Sequence, residues 1–178
     1  MKKILAFAGS TSSTSINKKL VTFVAESLQN TAFDIVDLRE ISVPIYSEDE
    51  EKENGFSEDI TQFSNSLDKY DGFIISMAEH NGTYAAAFKN IVDWCSRLNG
   101  KIFREKPLLL MATSPGGMGG RFVLAAGEQR FPRHGAKEVF TFSLPNFSNN
   151  FKEGKVINIE FLEVLQQKIN EFEVSVNQ

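Results

Sequence analysis

Five short apolar runs alternate with segments of helical period along this chain, and that alternation restricts its fold more than any other feature. The runs are Ile4–Ala8, Phe33–Leu38, Gly72–Met77, Leu108–Thr113 and Val139–Leu144. Between and after them, 17–29, 56–69, 84–98, 121–131 and 158–173 read as helices. Phe56, Ile60, Phe63 and Leu67 fall at spacings of four, three and four, and Ala85, Phe88, Ile91, Val92 and Cys95 share one face. Strand and helix in alternation predict an α/β fold with a parallel, doubly wound sheet. The runs after the first are mostly uniformly apolar, as strands covered on both faces require. At 178 residues, the chain is read as a single domain, 1–178. Residues 39–55 read as a long acidic connection, and 145–157 as a surface connection.

Sheets of this kind bind ligands beyond the carboxyl ends of their strands. Three loops at those ends carry unusual chemistry. The first is Gly9-Ser10-Thr11-Ser12-Ser13-Thr14-Ser15-Ile16-Asn17, between the first strand and the first helix. Backbone amides, hydroxyls and a helix start together make a phosphate pocket. No Gly-Lys-Ser/Thr closes the loop and no G-x-G-x-x-G is present, so neither a triphosphate loop nor a dinucleotide fingerprint is indicated. A hydroxyl-built loop suits a terminal monophosphate such as that of flavin mononucleotide. The same residues also fit an ordinary Ser/Thr N-cap without a ligand.

The second loop, Ala78-Glu79-His80-Asn81-Gly82-Thr83-Tyr84, is polar and turns at Asn81-Gly82. Its amides can face the edge of a planar ring. Alternatively, it is a loop leading into a helix with Thr83 as the cap. The third, Ser114-Pro115-Gly116-Gly117-Met118-Gly119-Gly120, allows close backbone approach to a flat ligand. A mobile surface loop is the other reading.

A net charge of −4 with both signs interspersed argues against nucleic acid as a partner. No apolar run is long enough to span a bilayer. The five apolar residues after Met1-Lys2-Lys3 are too few for a signal peptide. One cysteine forms no internal disulfide, which fits a cytoplasmic setting. Two distant histidines and that cysteine leave no zinc spacing.

The first loop resembles the G-S-x-R-x-x-S-x-N phosphate loop of the NAD(P)H-dependent FMN reductase family, which includes quinone, azo-dye and chromate reductases. Glu79-His80-Asn81-Gly82, Phe88-Lys89-Asn90-Ile91-Val92-Asp93-Trp94 and Arg97 resemble its P-E-Y-N-G-S and L-K-N-A-I-D-W-x-S-R segments. The third loop is similar to its S-x-G-x-x-G-G. The matches keep family order over roughly residues 1–135. The resemblance implies a flavodoxin-like three-layer sandwich with strand order 2-1-3-4-5. It implies FMN as cofactor and NADPH or NADH as co-substrate. Hydride passes to FMN and then to a quinone, flavin or other small acceptor in a ping-pong cycle.

By position, Ser10, Ser15, Ile16 and Asn17 match the phosphate contacts, with Ser12 at the place of the arginine. Ala78, Glu79, His80, Asn81 and Gly82 match the loop along the ring and ribityl chain, and Ser114, Gly116 and Gly117 the loop on its other side. No side chain is implied as catalytic, since the chemistry belongs to the flavin; His80 is a candidate modulator. The resemblance further implies a homodimer or homotetramer, with Glu79 and Arg97 paired across the interface; a solvated surface role for these two is the other reading, and Trp94 reads as packing at a helix–helix or subunit contact. Ser12, Ala78 and His80 stand where the family has arginine, proline and tyrosine. Lys18 or Lys19 is the candidate substitute for the missing arginine. His134 reads as a cation at a helix end, and Phe122, Phe131, Phe147 and Phe151 as lining an interface or acceptor pocket. Two alternatives stay open: a flavodoxin-type electron carrier, and a family member that lost tight FMN binding and acts as a sensor or scaffold.

Overall fold

The computed structural model describes all 178 residues. In chain order its elements are β1 (Lys3–Gly9), α1 (Ile16–Glu26), β2 (Ala32–Val36), α2 (Glu48–Asn54), α3 (Glu58–Ser66) and β3 (Gly72–Met77). A small hairpin follows, β4 (Glu79–His80) and β5 (Thr83–Tyr84), then α4 (Ala86–Leu98), β6 (Lys106–Thr113), α5 (Arg121–Arg130) and β7 (Ala136–Leu144). The chain closes with α6 (Phe147–Asn150), a second hairpin of β8 (Phe151–Lys152) and β9 (Lys155–Val156), and α7 (Ile159–Asn177).

The five main strands are all parallel and lie in the order β2-β1-β3-β6-β7, the expected flavodoxin-like 2-1-3-4-5. Alternate residues of each strand enter opposite layers. Leu5, Phe7, Phe73, Ile75, Leu108 and Leu110 pack under α3, α4 and α5. Ile4, Ala6, Ile74, Leu109 and Met111 pack under α1 and α7. Burial on both faces is the physical reason the runs are apolar at nearly every position.

From β1 the chain goes one way to β2 and then crosses to β3 on the other side, so strand order reverses at β1. That reversal opens a crevice at the carboxyl ends of β1 and β3. Gly9 is in register with Met77, Met77 with Ala112, and Thr113 with Leu144. The three loops singled out in the sequence therefore leave neighbouring strands about 5 Å apart.

Two expected connections contain structure. Residues 39–55 hold α2, which Ser47 caps by accepting the Glu50 amide proton at 3.0 Å. Its first turn is entirely acidic, favourable against the helix dipole, and Gly55 ends it at φ 70°. With no buried residue, it leaves no apolar period in the sequence. Residues 145–157 form α6 and the β8–β9 hairpin, whose turn takes positive φ at Glu153 and Gly154. Phe147 and Phe151 stack in the core there with centroids 4.7 Å apart. The last strand begins three residues earlier than expected, at Ala136, and α7 runs on to Asn177.

Candidate functional site

The first loop is shaped by its own hydroxyls. Ser10 Oγ accepts the Ser12 amide at 3.2 Å, and Ser12 Oγ accepts the Thr14 amide at 3.3 Å. Ser15 caps α1, its Oγ accepting the Lys18 amide at 3.1 Å. The amides of Ile16 and Asn17 are left without a partner in the chain. Unpaired amides at a helix start are what an anion needs.

The Asn17 side chain faces inward and is buried. Its Nδ2 donates to Thr113 O at 3.3 Å, while its Oδ1 accepts the Thr113 amide at 3.0 Å and the Ser76 hydroxyl at 2.8 Å. The group of Asn17 left without a partner in the chain is its backbone amide. Lys18 is committed too: its Nζ lies 2.5 Å from Asp37. Arg39, and then Lys18, hold the Asp37 carboxyl well below the ordinary range. Lys18 is thus engaged by Asp37, whereas Lys19 is exposed and in no ion pair.

The second loop is the β4–β5 hairpin. His80 pairs with Thr83, and Asn81 and Gly82 turn the chain at φ 51° and 76°. Asn-Gly is the pair that tolerates such a turn. Pairing draws Thr83 into the hairpin, so it does not cap α4, which starts after Ala85 without a side-chain cap. Ala78 is buried and His80 is exposed, and the Asn81 and Gly82 amides have no acceptor in the chain. Glu79 reaches across to α5, where its Oε2 accepts the Phe122 and Val123 amides, each at 2.9 Å. The cap residue of α5 is Gly120, which has no side chain to do this.

In the third loop the glycines divide into two kinds. Gly119 (φ 59°) and Gly120 (φ 74°) are tightly packed. A Cβ at Gly119 would collide with Ser143 Oγ, and one at Gly120 would come within 2.7 Å of the Ala112 methyl. At Gly116 a Cβ would meet nothing within 4 Å, and at Gly117 only the Asn146 side chain at 3.9 Å. Ser114 Oγ donates to Gly116 O at 3.0 Å. The loop is therefore anchored at one end and open at the other. Asn146 (φ 47°) donates its amide to Gly116 O at 2.9 Å, and Phe147 donates to Ser114 O at 3.1 Å. The turn after β7 thus backs the third loop, a role that sequence reasoning does not reach. The Pro145-Asn146 dipeptide at a strand end is the one local signal for it.

The K-N-x-x-D-W segment holds the connection that follows β2. Asn90 Oδ1 accepts the Tyr46 amide at 2.8 Å, and Asn90 Nδ2 and Trp94 Nε1 both donate to Pro44 O at 2.9 Å. Trp94 is packed within its own chain, with Tyr46 edge-on at 5.1 Å and Phe56 at 5.7 Å. This fixes residues 44–46 and leaves Ile45 86% exposed. Within the single chain, Arg97 pairs with Glu51 at 2.8 Å and 3.2 Å, while Glu79 is engaged by α5. Phe131, Phe147 and Phe151 are core residues, and only Phe122 of that group is exposed. Burial lowers the His134 pKa, so it favours the neutral ring over the expected cation. Cys95 is buried and its thiol is pushed up to about 12, which makes it an unreactive packing residue. No helix is long and apolar enough to cross a membrane.

Comparison with known proteins supports the likeness seen in the loops. The chain is 32% identical over 78 residues to a quinone reductase of Escherichia coli (strain K12), covering 44% of this chain and 42% of that protein. It is 31% identical over 85 residues to an NAD(P)H-dependent FMN reductase of Pseudomonas aeruginosa, covering 47% and 45%. The matched stretch thus spans less than half the length of these relatives. Among solved structures, the fold superposes on FerB, a flavoenzyme NAD(P)H:acceptor oxidoreductase from Paracoccus denitrificans, with TM-score 0.78 at 20% identity, covering 99% of this chain and 98% of that one. It also resembles an FMN-dependent NADH-azoreductase from Bacillus anthracis with TM-score 0.58 at 14% identity, covering 99% and 98%. Residues 2–148 match the family described as NADPH-dependent FMN reductase. With that match over most of its length and the fold to accompany it, the chain belongs to the NADPH-dependent FMN reductase family.

Proposed function

We propose that this protein is an NAD(P)H-dependent FMN oxidoreductase that reduces a small acceptor such as a quinone. The observation that carries the proposal is the pair of unpartnered amides at Ile16 and Asn17, set on the same strand-end row as the open backbone at Gly116 and Gly117. The residues present fit a flavin monophosphate. Amides and the hydroxyls of Ser10, Ser12 and Ser15 would hold the phosphate, with Lys19 as the nearby free cation. Ala78, Glu79, His80, Asn81 and Gly82 would lie along the ring on one side, and Ser114, Gly116 and Gly117 on the other.

When bound, FMN supplies hydride acceptance from NADPH or NADH and delivery to the acceptor. The chain's own residues bind and orient. The Asn81 and Gly82 amides, without a partner in the chain, would be available as hydrogen-bond donors to the flavin. Glu79 fixes the hairpin by holding it to α5. Gly116 and Gly117 leave space where a side chain would obstruct a flat ligand.

The test is a visible spectrum of the FMN-reconstituted protein, recorded anaerobically before and after NADPH or NADH is added. A bound-flavin band that bleaches promptly supports the oxidoreductase. A band that persists with both nucleotides assigns the chain to electron carriage instead. Loss of the flavin on desalting overturns the binding site itself.

A further inference from the structure

A small cavity between α4 and α5 plays no part in the flavin reading. It measures about 100 Å³ and is walled by Tyr84, Lys89, Asp93, Arg130, Phe131 and His134, among others. Tyr84 stacks on Phe131, with centroids 6.0 Å apart and planes at 22°. Its hydroxyl is buried and has no hydrogen-bond partner, the one side-chain nitrogen or oxygen in the protein so placed. A buried hydroxyl left unpaired is costly, so a missing partner is indicated.

The charges around the cavity are arranged for an anion. Arg130 Nε donates to His134 Nε2 at 3.2 Å, and His134 Nδ1 lies 3.3 Å from Gly100 O. For Nε2 to accept, the proton must sit on Nδ1, where it donates to that carbonyl. Burial lowers the imidazole pKa and favours this neutral form. The guanidinium is thus oriented through Nε while its two terminal nitrogens have no partner in the chain. Lys89 is neutralised by Asp93, at 2.6 Å and 2.8 Å. One net positive charge remains, that of Arg130. Burial raises the Tyr84 phenol, so it keeps its proton and stays a donor.

We infer that this cavity binds a small carboxylate, with one oxygen on the Tyr84 hydroxyl and the other on the Arg130 guanidinium. A single negative charge, two acceptor oxygens and a planar shape match what the walls present. A volume equal to a few water molecules limits the ligand to a short acid or the terminal carboxylate of a longer one.

The test uses acetate as probe on the purified protein, with acetamide and chloride as controls at constant ionic strength. The expected result is a saturable rise in melting temperature with acetate and none with acetamide or chloride. Arg130→Gln and Tyr84→Phe should each weaken the apparent acetate affinity at least about fivefold. Tyr84→Phe should also leave the ligand-free melting temperature unchanged or higher, because it deletes an unpaired hydroxyl. The inference is overturned if acetate has no effect, or if its effect is equal in the wild type and both variants. A change of oligomeric state in Arg130→Gln without an acetate response also overturns it, assigning the arginine to a protein carboxylate instead.

Discussion

Asn17 pairs with the backbone of Thr113 as a neighbouring strand residue would, giving one hydrogen bond at 3.3 Å and taking one at 3.0 Å. A side-chain amide thus completes the end of β6 and ties the start of α1 to the third loop. The Ser76 hydroxyl adds a third bond to the same side chain, from the end of β3. One buried amide therefore locks the ends of three loops, which is a reason for an asparagine at this position that involves no ligand.

Replacing Asn17 with leucine leaves Thr113 N–H, Thr113 C=O and the Ser76 hydroxyl buried and unpaired. The expected loss is about 2–4 kcal/mol of folding stability, since each orphaned group costs about 1–3 kcal/mol and the surroundings relax in part. Urea denaturation measures it. A loss under about 0.5 kcal/mol, the range of an ordinary surface change, would show that the amide is not a latch.

Glu79 should act on α5 as an N-cap would. Glu79→Ala removes the only side-chain acceptor for the Phe122 and Val123 amides, at an expected cost of about 1 kcal/mol. Glu79→Gln keeps an acceptor oxygen but loses the charge facing the helix start, at about 0.5 kcal/mol. Both variants should also bind FMN more weakly than the wild type, because the hairpin loses its tie. Denaturation curves and flavin-fluorescence titration read the two effects separately. A glutamine variant as stable as the wild type would refute the dipole contribution, and alanine and glutamine variants of equal stability would refute the contribution of the hydrogen bonds themselves.

Much of this arrangement is legible in the sequence because both faces of the sheet are buried. Runs such as Phe73-Ile74-Ile75 and Leu108-Leu109-Leu110-Met111 report strands directly, and the Ser/Thr-rich loop reports the cap at Ser15. What escapes is whatever depends on distant partners. Asn17 and Thr113 are 96 residues apart, and nothing local marks the asparagine as facing inward. The glycine loop reads as one feature, yet Gly119 and Gly120 owe their identity to Ser143 and Ala112, which only the packed sheet brings near. Helix α2 escapes for the opposite reason, having charge without a buried face.

His134 should make stability depend on pH in a definite direction. Burial lowers its folded pKa below the ordinary 6.5. Between the two values the unfolded chain binds the extra proton, so stability rises with pH across that window. The contribution is complete above about 6.5 and is lost as pH falls through the lowered value. Protonation would also deprive Arg130 of its acceptor at Nε2. Melting temperature from about pH 7.5 down to about pH 5 should fall more steeply in the wild type than in His134→Gln, whose side chain does not titrate. Parallel profiles would mean that His134 is not protonated at a cost to the fold.

The two kinds of glycine in the third loop should separate folding from binding. Gly119→Ala forces a methyl into Ser143 Oγ at a positive φ of 59°. The strain and the collision together should cost about 2 kcal/mol or more. Gly116→Ala has open space around its new methyl and should leave the melting temperature within about 1 °C, as for a surface substitution that disturbs no packing. That space is where the flavin reading places the ring, so the same variant should bind FMN at least about tenfold more weakly, a difference of about 1.4 kcal/mol. Thermal melts and flavin titrations on the two variants give opposite rankings if the site is as proposed. If Gly116→Ala binds FMN as the wild type does, the ring does not approach the third loop, and the crevice must be assigned to another ligand or another orientation.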